Sequence, residues 1–174
     1  AAAARLCYSE RMPPDVEAGM SDAEVKRLIL MLLDMGHTSP LEHASFTFGV
    51  EGVSRALLAQ ITRHRIASFS VKSQRYVSEV SAAREEGVFG YVIPPRIEAL
   101  GPEYAEEFKN QMSQIQKWYD YWVEKLGNTG ESTNEDARFV LPNAAETKLM
   151  VTMNARELLH FFSLRCCNRA QWEI

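Results

Sequence analysis

The sequence predicts an α+β fold, a mixed α/β single domain, and three observations carry that expectation. Two long stretches, 21–36 and 102–127, show helical periodicity between a start and a stop signal. Two shorter ones, 46–50 and 147–153, alternate apolar and polar side chains as strands do. The chain has 174 residues, 46% hydrophobic and 24% charged, enough for one core. No repeat, low-complexity tract or linker divides it.

The first helix is read from "SDAEVKRLILMLLDMG". Ser21 and Glu24 form a capping box, Gly36 supplies the stop, and Val25, Leu28, Ile29 and Leu32 mark the buried face. "HASFTFGVEG" follows as a half-buried strand, with Phe46, Phe48 and Val50 alternating against Ser45, Thr47 and Gly49. "SRALLAQIT" is a short helix started by Ser54 that delivers the chain to Arg63. Residues 66–96 are expected to be extended or loop, ending at Pro94-Pro95. The longest helix starts at Pro102, carries Phe108, Met112, Ile115, Tyr119, Trp122 and Leu126 as its apolar stripe, and ends on Gly127. That stripe reads as core or subunit contact. "STNEDARFVLP" is a capped short helix stopped by Pro142, and "ETKLMVTMN" a strand in which Thr147, Leu149, Val151 and Met153 alternate with their neighbours. Asn154 and Glu157 cap a last helix expected to run to the end of the chain.

The formal charge of −4 argues against a protein that coats nucleic acid. Its distribution is uneven. Residues 52–78 hold no acid but five bases (Arg55, Arg63, Arg65, Lys72, Arg75), leaving 14 basic against 23 acidic residues elsewhere, a charge of −9. A positive patch on an acidic body suits a small anionic ligand. Cys7, Cys166 and Cys167 make an odd count without a CxxC, which points to a reducing compartment, the cytoplasm. No apolar run is long enough to span a membrane and no targeting signal is visible. Both ends look abrupt, so the natural chain is expected to be longer.

Three clusters carry chemistry. In "ITRHRIASFSVKSQRY", arginine forks can bind phosphate bidentately while hydroxyls and loop amides complete an anion's shell. Ile66, Ala67, Phe69 and Val71 interleave with the polar residues, which favours a packed anion site over a solvated charged face. In "GHTSPLEH", the residues His37, Glu42 and His43 are metal-ligand types. Their spacing is not HExxH, Pro40 blocks a regular helix, and adjacent Glu42 and His43 diverge, so no metal is assigned. A polar loop contacting a ligand or its own backbone is the expectation. In the last helix, His160 lies roughly 40° from Arg156 and Arg165 roughly 180° from it. Leu158, Leu159, Phe161, Phe162 and Leu164 surround them, which predicts burial on both faces at a subunit boundary.

Arg63-His64-Arg65, followed after seven intervening residues by Ser73, resembles the signature of the flavin-dependent thymidylate synthases, the ThyX family. "GHTSPLEHASFTFGVEGVSRALLAQITRHRIASF", "SQRYV", "ARFVLPN" and "MNARELLHFFSLRCCNRAQWEI" are similar to that family in the same order, from about residue 36 to the end. The resemblance implies a mainly antiparallel sheet flanked by helices, and a non-Rossmann flavin site; the chain indeed has no GxGxxG. It implies one catalytic domain over residues 1–174, lacking a leading strand and a C-terminal helical extension. The implied activity is conversion of dUMP to dTMP, with methylenetetrahydrofolate as carbon donor, FAD as hydride carrier and NADPH as reductant. The implied assembly is a homotetramer with shared active sites, without nucleic-acid or membrane partners.

Carried over by position, the implied FAD contacts are His37, Ser39, Arg63, His64, Arg65, Val71, Asn154, Arg156 and His160. The implied dUMP contacts are Gln60, Arg63, Val71, Lys72, Ser73, Gln74, Arg75, Arg138 and Arg165. Arg165 matches the arginine that polarises the uracil ring, where a fixed cation stabilises developing negative charge. Three positions depart from the family pattern. Val71 stands where Gln or Glu is common, Ser70 where Asn is common, and His160 where some relatives have Asn. Ser73 lacks an assured base, so positioning rather than nucleophilic attack is expected of it. Cys166 and Cys167 are expected to be buried helix thiols rather than nucleophiles. Two rival readings differ in what they require. A nucleotide- or RNA-binding module would carry no flavin and release its ligand in salt. A metal-dependent hydrolase on His37, Glu42 and His43 would need stoichiometric metal.

Overall fold

A computed structural model describes residues 1–174 and has the expected α+β architecture. In chain order it comprises α1 (Ala2–Leu6), α2 (Pro13–Ala18), α3 (Asp22–Asp34), β1 (Ser45–Ser54), α4 (Arg55–Ile61) and β2 (Ala67–Val71). There follow α5 (Pro95–Glu98), α6 (Pro102–Lys125), α7 (Glu131–Ala137), β3 (Glu146–Asn154) and α8 (Ala155–Arg165). The three strands form one antiparallel sheet in the order β1-β3-β2. Its central strand shows the alternation read from the sequence: Thr147, Leu149, Val151 and Met153 are buried.

The chain divides into two compact units. The first comprises Ala1–Thr47, Ile66–Ser68 and Thr152–Ala170. In it, Ser21 accepts from the Glu24 N–H while the Glu24 carboxylate accepts from the Ser21 N–H, closing the capping box. Gly36, at φ 71°, takes the left-handed conformation that lets the Gly36 and His37 amides cap the Leu33 and Leu32 carbonyls. The hydroxyls of Thr47 and Thr152 meet at 2.8 Å. The second unit comprises Phe48–Arg65, Phe69–Val151 and Gln171–Ile174. Its core gathers Phe89, Met112 and Ala145 in one cluster and Tyr119, Val123 and Ala137 in another.

Several elements differ from expectation. The α6 stripe turns at its C-terminal end: Val123 is 4% exposed and Trp122 45%. Around the helix axis Val123 lies roughly 40° and Gln116 roughly 60° to one side of Tyr119, with Trp122 roughly 60° to the other. Gln116 faces inward because its amide is fully used, accepting from the Phe89 N–H and donating to the Glu79 carbonyl and the Asp120 carboxylate. It therefore brings Val123 inward with it. Phe46 and Phe48 on β1 are 48% and 44% exposed, because nothing in the chain covers their face of the strand. Ile66 is likewise exposed, one residue before β2 begins. The helix in "STNEDARFVLP" lacks a side-chain cap and starts after Gly130. Finally, α8 stops at Arg165, with Leu159, Phe162 and Leu164 exposed rather than buried on both faces.

Candidate functional site

In the second unit, Ser54 starts α4. Its hydroxyl accepts from the Leu57 N–H, and Glu173 accepts from both the Ser54 amide and hydroxyl at 2.6 and 2.5 Å. The helix buries Leu57, Leu58 and Ile61 and ends in Thr62, leaving Gln60 partly buried. Arg63 and Arg65 emerge exposed while His64 between them is buried. The basic motif thus divides by burial, with two guanidinium groups toward solvent and the imidazole inward.

Residues 72–76 leave β2 as a tight turn. The Lys72 amide donates to the Lys148 carbonyl at 2.9 Å, and Val77 N–H donates to the Ser73 carbonyl at 3.1 Å. The Ser73 hydroxyl accepts from the Arg75 N–H, a turn-forming role. Val71 and Lys72 line a cleft of about 730 Å³ with Val50, Lys148 and Met150. The Lys72 ammonium lies 2.6 Å from Glu79, whose other oxygen pairs with Arg84. Glu79 itself is 3% exposed. Gln74 is buried.

α7 receives the turn. The buried Asn134 amide donates to the Arg75 carbonyl at 2.9 Å, and its oxygen accepts from the hydroxyl of the fully buried Tyr119. Nη2 of Arg75 pairs with Glu131 at 2.6 Å and Glu135 at 3.1 Å. Its Nε is buried with no hydrogen-bond partner, a donor suited to an anion. Arg138 donates from Nε to the Glu135 carbonyl. Arg55, at the start of α4, is partly buried near Arg138. Burial, and the nearby charge of Arg138, lower its affinity for protons below the usual arginine value. Its only sequence signal was membership of the acid-free stretch. Asn134, Glu131 and Glu135 gave none, because their shared partner Arg75 lies more than fifty residues away.

In the first unit, Asn154, Arg156 and His160 share a cleft of about 440 Å³ with Glu42 and Ile66. Asn154 caps α8 by accepting from the Glu157 N–H at 2.9 Å, which leaves its amide hydrogens for other partners. Arg156 forms an ion pair with Glu42. Ser39 opens the 3-10 turn Ser39–His43, which packs against α8, and the Ala155 N–H donates to the Ala44 carbonyl. His37 lines a separate cleft with Tyr8, Arg11 and Met35. No cluster of three His, Cys, Asp or Glu is placed to hold a metal ion. Arg165 is half-buried at the last position of α8. Cys166 and Cys167 are exposed free thiols, contrary to expectation, because the helix ends before them.

The cap makes a stability prediction. Asn154→Ala is expected to cost about 1 kcal/mol in urea unfolding. Asn154→Asp stays near wild type, since a carboxylate accepts the same N–H and suits a helix N-terminus. Equal losses in both variants would contradict the capping role.

The sequence profile described as "Thymidylate synthase complementing protein" matches residues 1–174. A flavin-dependent thymidylate synthase of Geobacter sulfurreducens is 49% identical over 174 residues, covering 100% of this chain and 70% of that protein. One of Nitratidesulfovibrio vulgaris is 47% identical over 180 residues, covering 99% and 71%. The crystal structure of Thymidylate Synthase X from Helicobacter pylori, with FAD and dUMP, aligns at a TM-score of 0.65 with 26% identity. That alignment covers 98% of this chain and 79% of the other.

Proposed function

Because the chain belongs to the flavin-dependent thymidylate synthase family, we propose that it converts dUMP to dTMP as an FAD-dependent enzyme. The observation that carries this reading is the family match over all 174 residues. The carbon donor is methylenetetrahydrofolate and the reductant NADPH. When bound, the flavin supplies the hydride that reduces the transferred carbon to a methyl group. Residues 1–174 act as one catalytic domain in the cytoplasm.

The residues present fit these ligands. The cleft of Asn154, Arg156 and His160 offers amide, guanidinium and imidazole donors to a phosphorylated cofactor, with His37, Ser39, Arg63, His64, Arg65 and Val71 as further flavin contacts. For dUMP, the turn Val71–Arg75 and Arg138 hold the phosphate, and the orphaned Nε of Arg75 supports that assignment. Gln60 and Arg63 complete the nucleotide contacts. Arg165 polarises the uracil, fixing positive charge where the ring becomes electron-rich. Val71 contributes its backbone alone, since its side chain offers no donor. The chain functions as a homotetramer with shared active sites. Exposed apolar residues such as Phe46, Phe48, Leu159 and Phe162 support subunit contacts, because a monomer would leave them in water.

An absorbance spectrum of the purified protein tests the cofactor assignment. The visible bands of oxidised flavin are expected, perturbed on addition of dUMP. A protein that neither retains nor takes up flavin would overturn it.

A further inference from the structure

One face of α7 presents Glu131, Asn134 and Glu135, spaced three and four residues apart, to Arg75. The three do separate things. Asn134 is buried and holds the Arg75 backbone. Together with the Lys72 amide and the Ser73 hydroxyl, it fixes the turn without any carboxylate. Glu131 and Glu135 instead both engage Nη2 of the Arg75 side chain. Each is nearly half exposed, at 44% and 46% of its side chain, a setting in which ion pairs add little to stability. Two carboxylates on one guanidinium also leave the group with net negative charge.

We propose that Glu131 and Glu135 set the number of phosphates the nucleotide turn accepts, admitting a nucleoside monophosphate and disfavouring di- and triphosphates. The proposal rests on the reading of Arg75 as a phosphate ligand. A monophosphate can engage the guanidinium nitrogens the carboxylates leave open. Each additional phosphate brings further negative charge within a few ångströms of two carboxylates, at a surface where counter-charge is already consumed. Repulsion at such range in partly solvated surroundings weakens binding on the order of tenfold per added charge. Arg55 and Arg138 lie close to each other, and Arg138 is tied to the Glu135 backbone, so further positive charge stands near the acids.

The test is calorimetric titration of the flavin-loaded protein with dUMP and with deoxyuridine triphosphate. Wild type and the Glu131→Gln, Glu135→Gln double variant are compared at low and high salt. The wild-type preference for dUMP is expected to fall about 100-fold in the variant at low salt, roughly tenfold for each of the two charges that the triphosphate adds, and the difference between the proteins to shrink at high salt. An unchanged ratio, or equal changes for both nucleotides as a loosened turn would give, overturns the proposal alone. Wild-type protein that carries flavin but binds no dUMP overturns the phosphate reading of Arg75, and this proposal with it.

Discussion

Replacing Arg165 by alanine is expected to lower dTMP formation on the order of 100- to 1,000-fold while flavin and dUMP remain bound. The arginine is the last residue of α8, where a cation also suits the partial negative charge of the helix end. Its removal leaves the apolar packing of the helix intact, so the loss should appear in kcat rather than in folding. The Cys166→Ala, Cys167→Ala double variant provides the contrast. Both thiols are exposed beyond the helix end, and a mechanism built on Arg165 predicts that this variant keeps near wild-type turnover. Loss of turnover in the cysteine variant, with flavin retained, would move the chemistry to a thiol.

The second large effect is on stability and concerns Glu79. Its carboxylate is the meeting point of Lys72 and Arg84, both largely buried, at 19% and 24% side-chain exposure. Its backbone is held as well, the N–H donating to the Tyr119 hydroxyl and the carbonyl accepting from Gln116. Glu79→Ala removes the only carboxylate paired with two cations there and is expected to cost about 3–5 kcal/mol. Glu79→Gln is expected to cost less, because the amide oxygen still accepts one hydrogen bond. Urea unfolding followed by circular dichroism measures both. A loss below about 1 kcal/mol in the alanine variant would show that the cations find water instead. Lys72 lies in the turn proposed to hold dUMP, so on that proposal the same substitution also weakens dUMP binding in protein that still folds.

Local signals were legible where the sequence itself completes the interaction. Ser21 with Glu24, Gly36, Ser54, Asn154 and Gly127 each act within a few residues, and the structure shows all five at helix ends. The alternation of β3 was legible because a central strand buries one face whatever surrounds it. The inward turn of Gln116 was not, since a polar residue enters a core only through partners at Phe89 and Glu79 that no periodicity reveals. Gly130 as the start of α7 was hidden by Ser132, a better capping residue two positions inside the helix. Phe46, Phe48 and the apolar face of α8 have the pattern of buried residues yet lie exposed. For the site, the residue types of the basic turn pointed to an anion. The division between backbone anchors and free donors required coordinates. The opposing carboxylates of α7 were invisible for the same reason.

The most direct test is a single turnover with flavin-reduced protein, dUMP and labelled methylenetetrahydrofolate. Label in dTMP together with reoxidation of the flavin is expected in wild-type protein, with both slowed on the order of 100- to 1,000-fold in Arg165→Ala. Flavin-loaded wild-type protein that binds dUMP but transfers no labelled carbon to it would contradict the assignment.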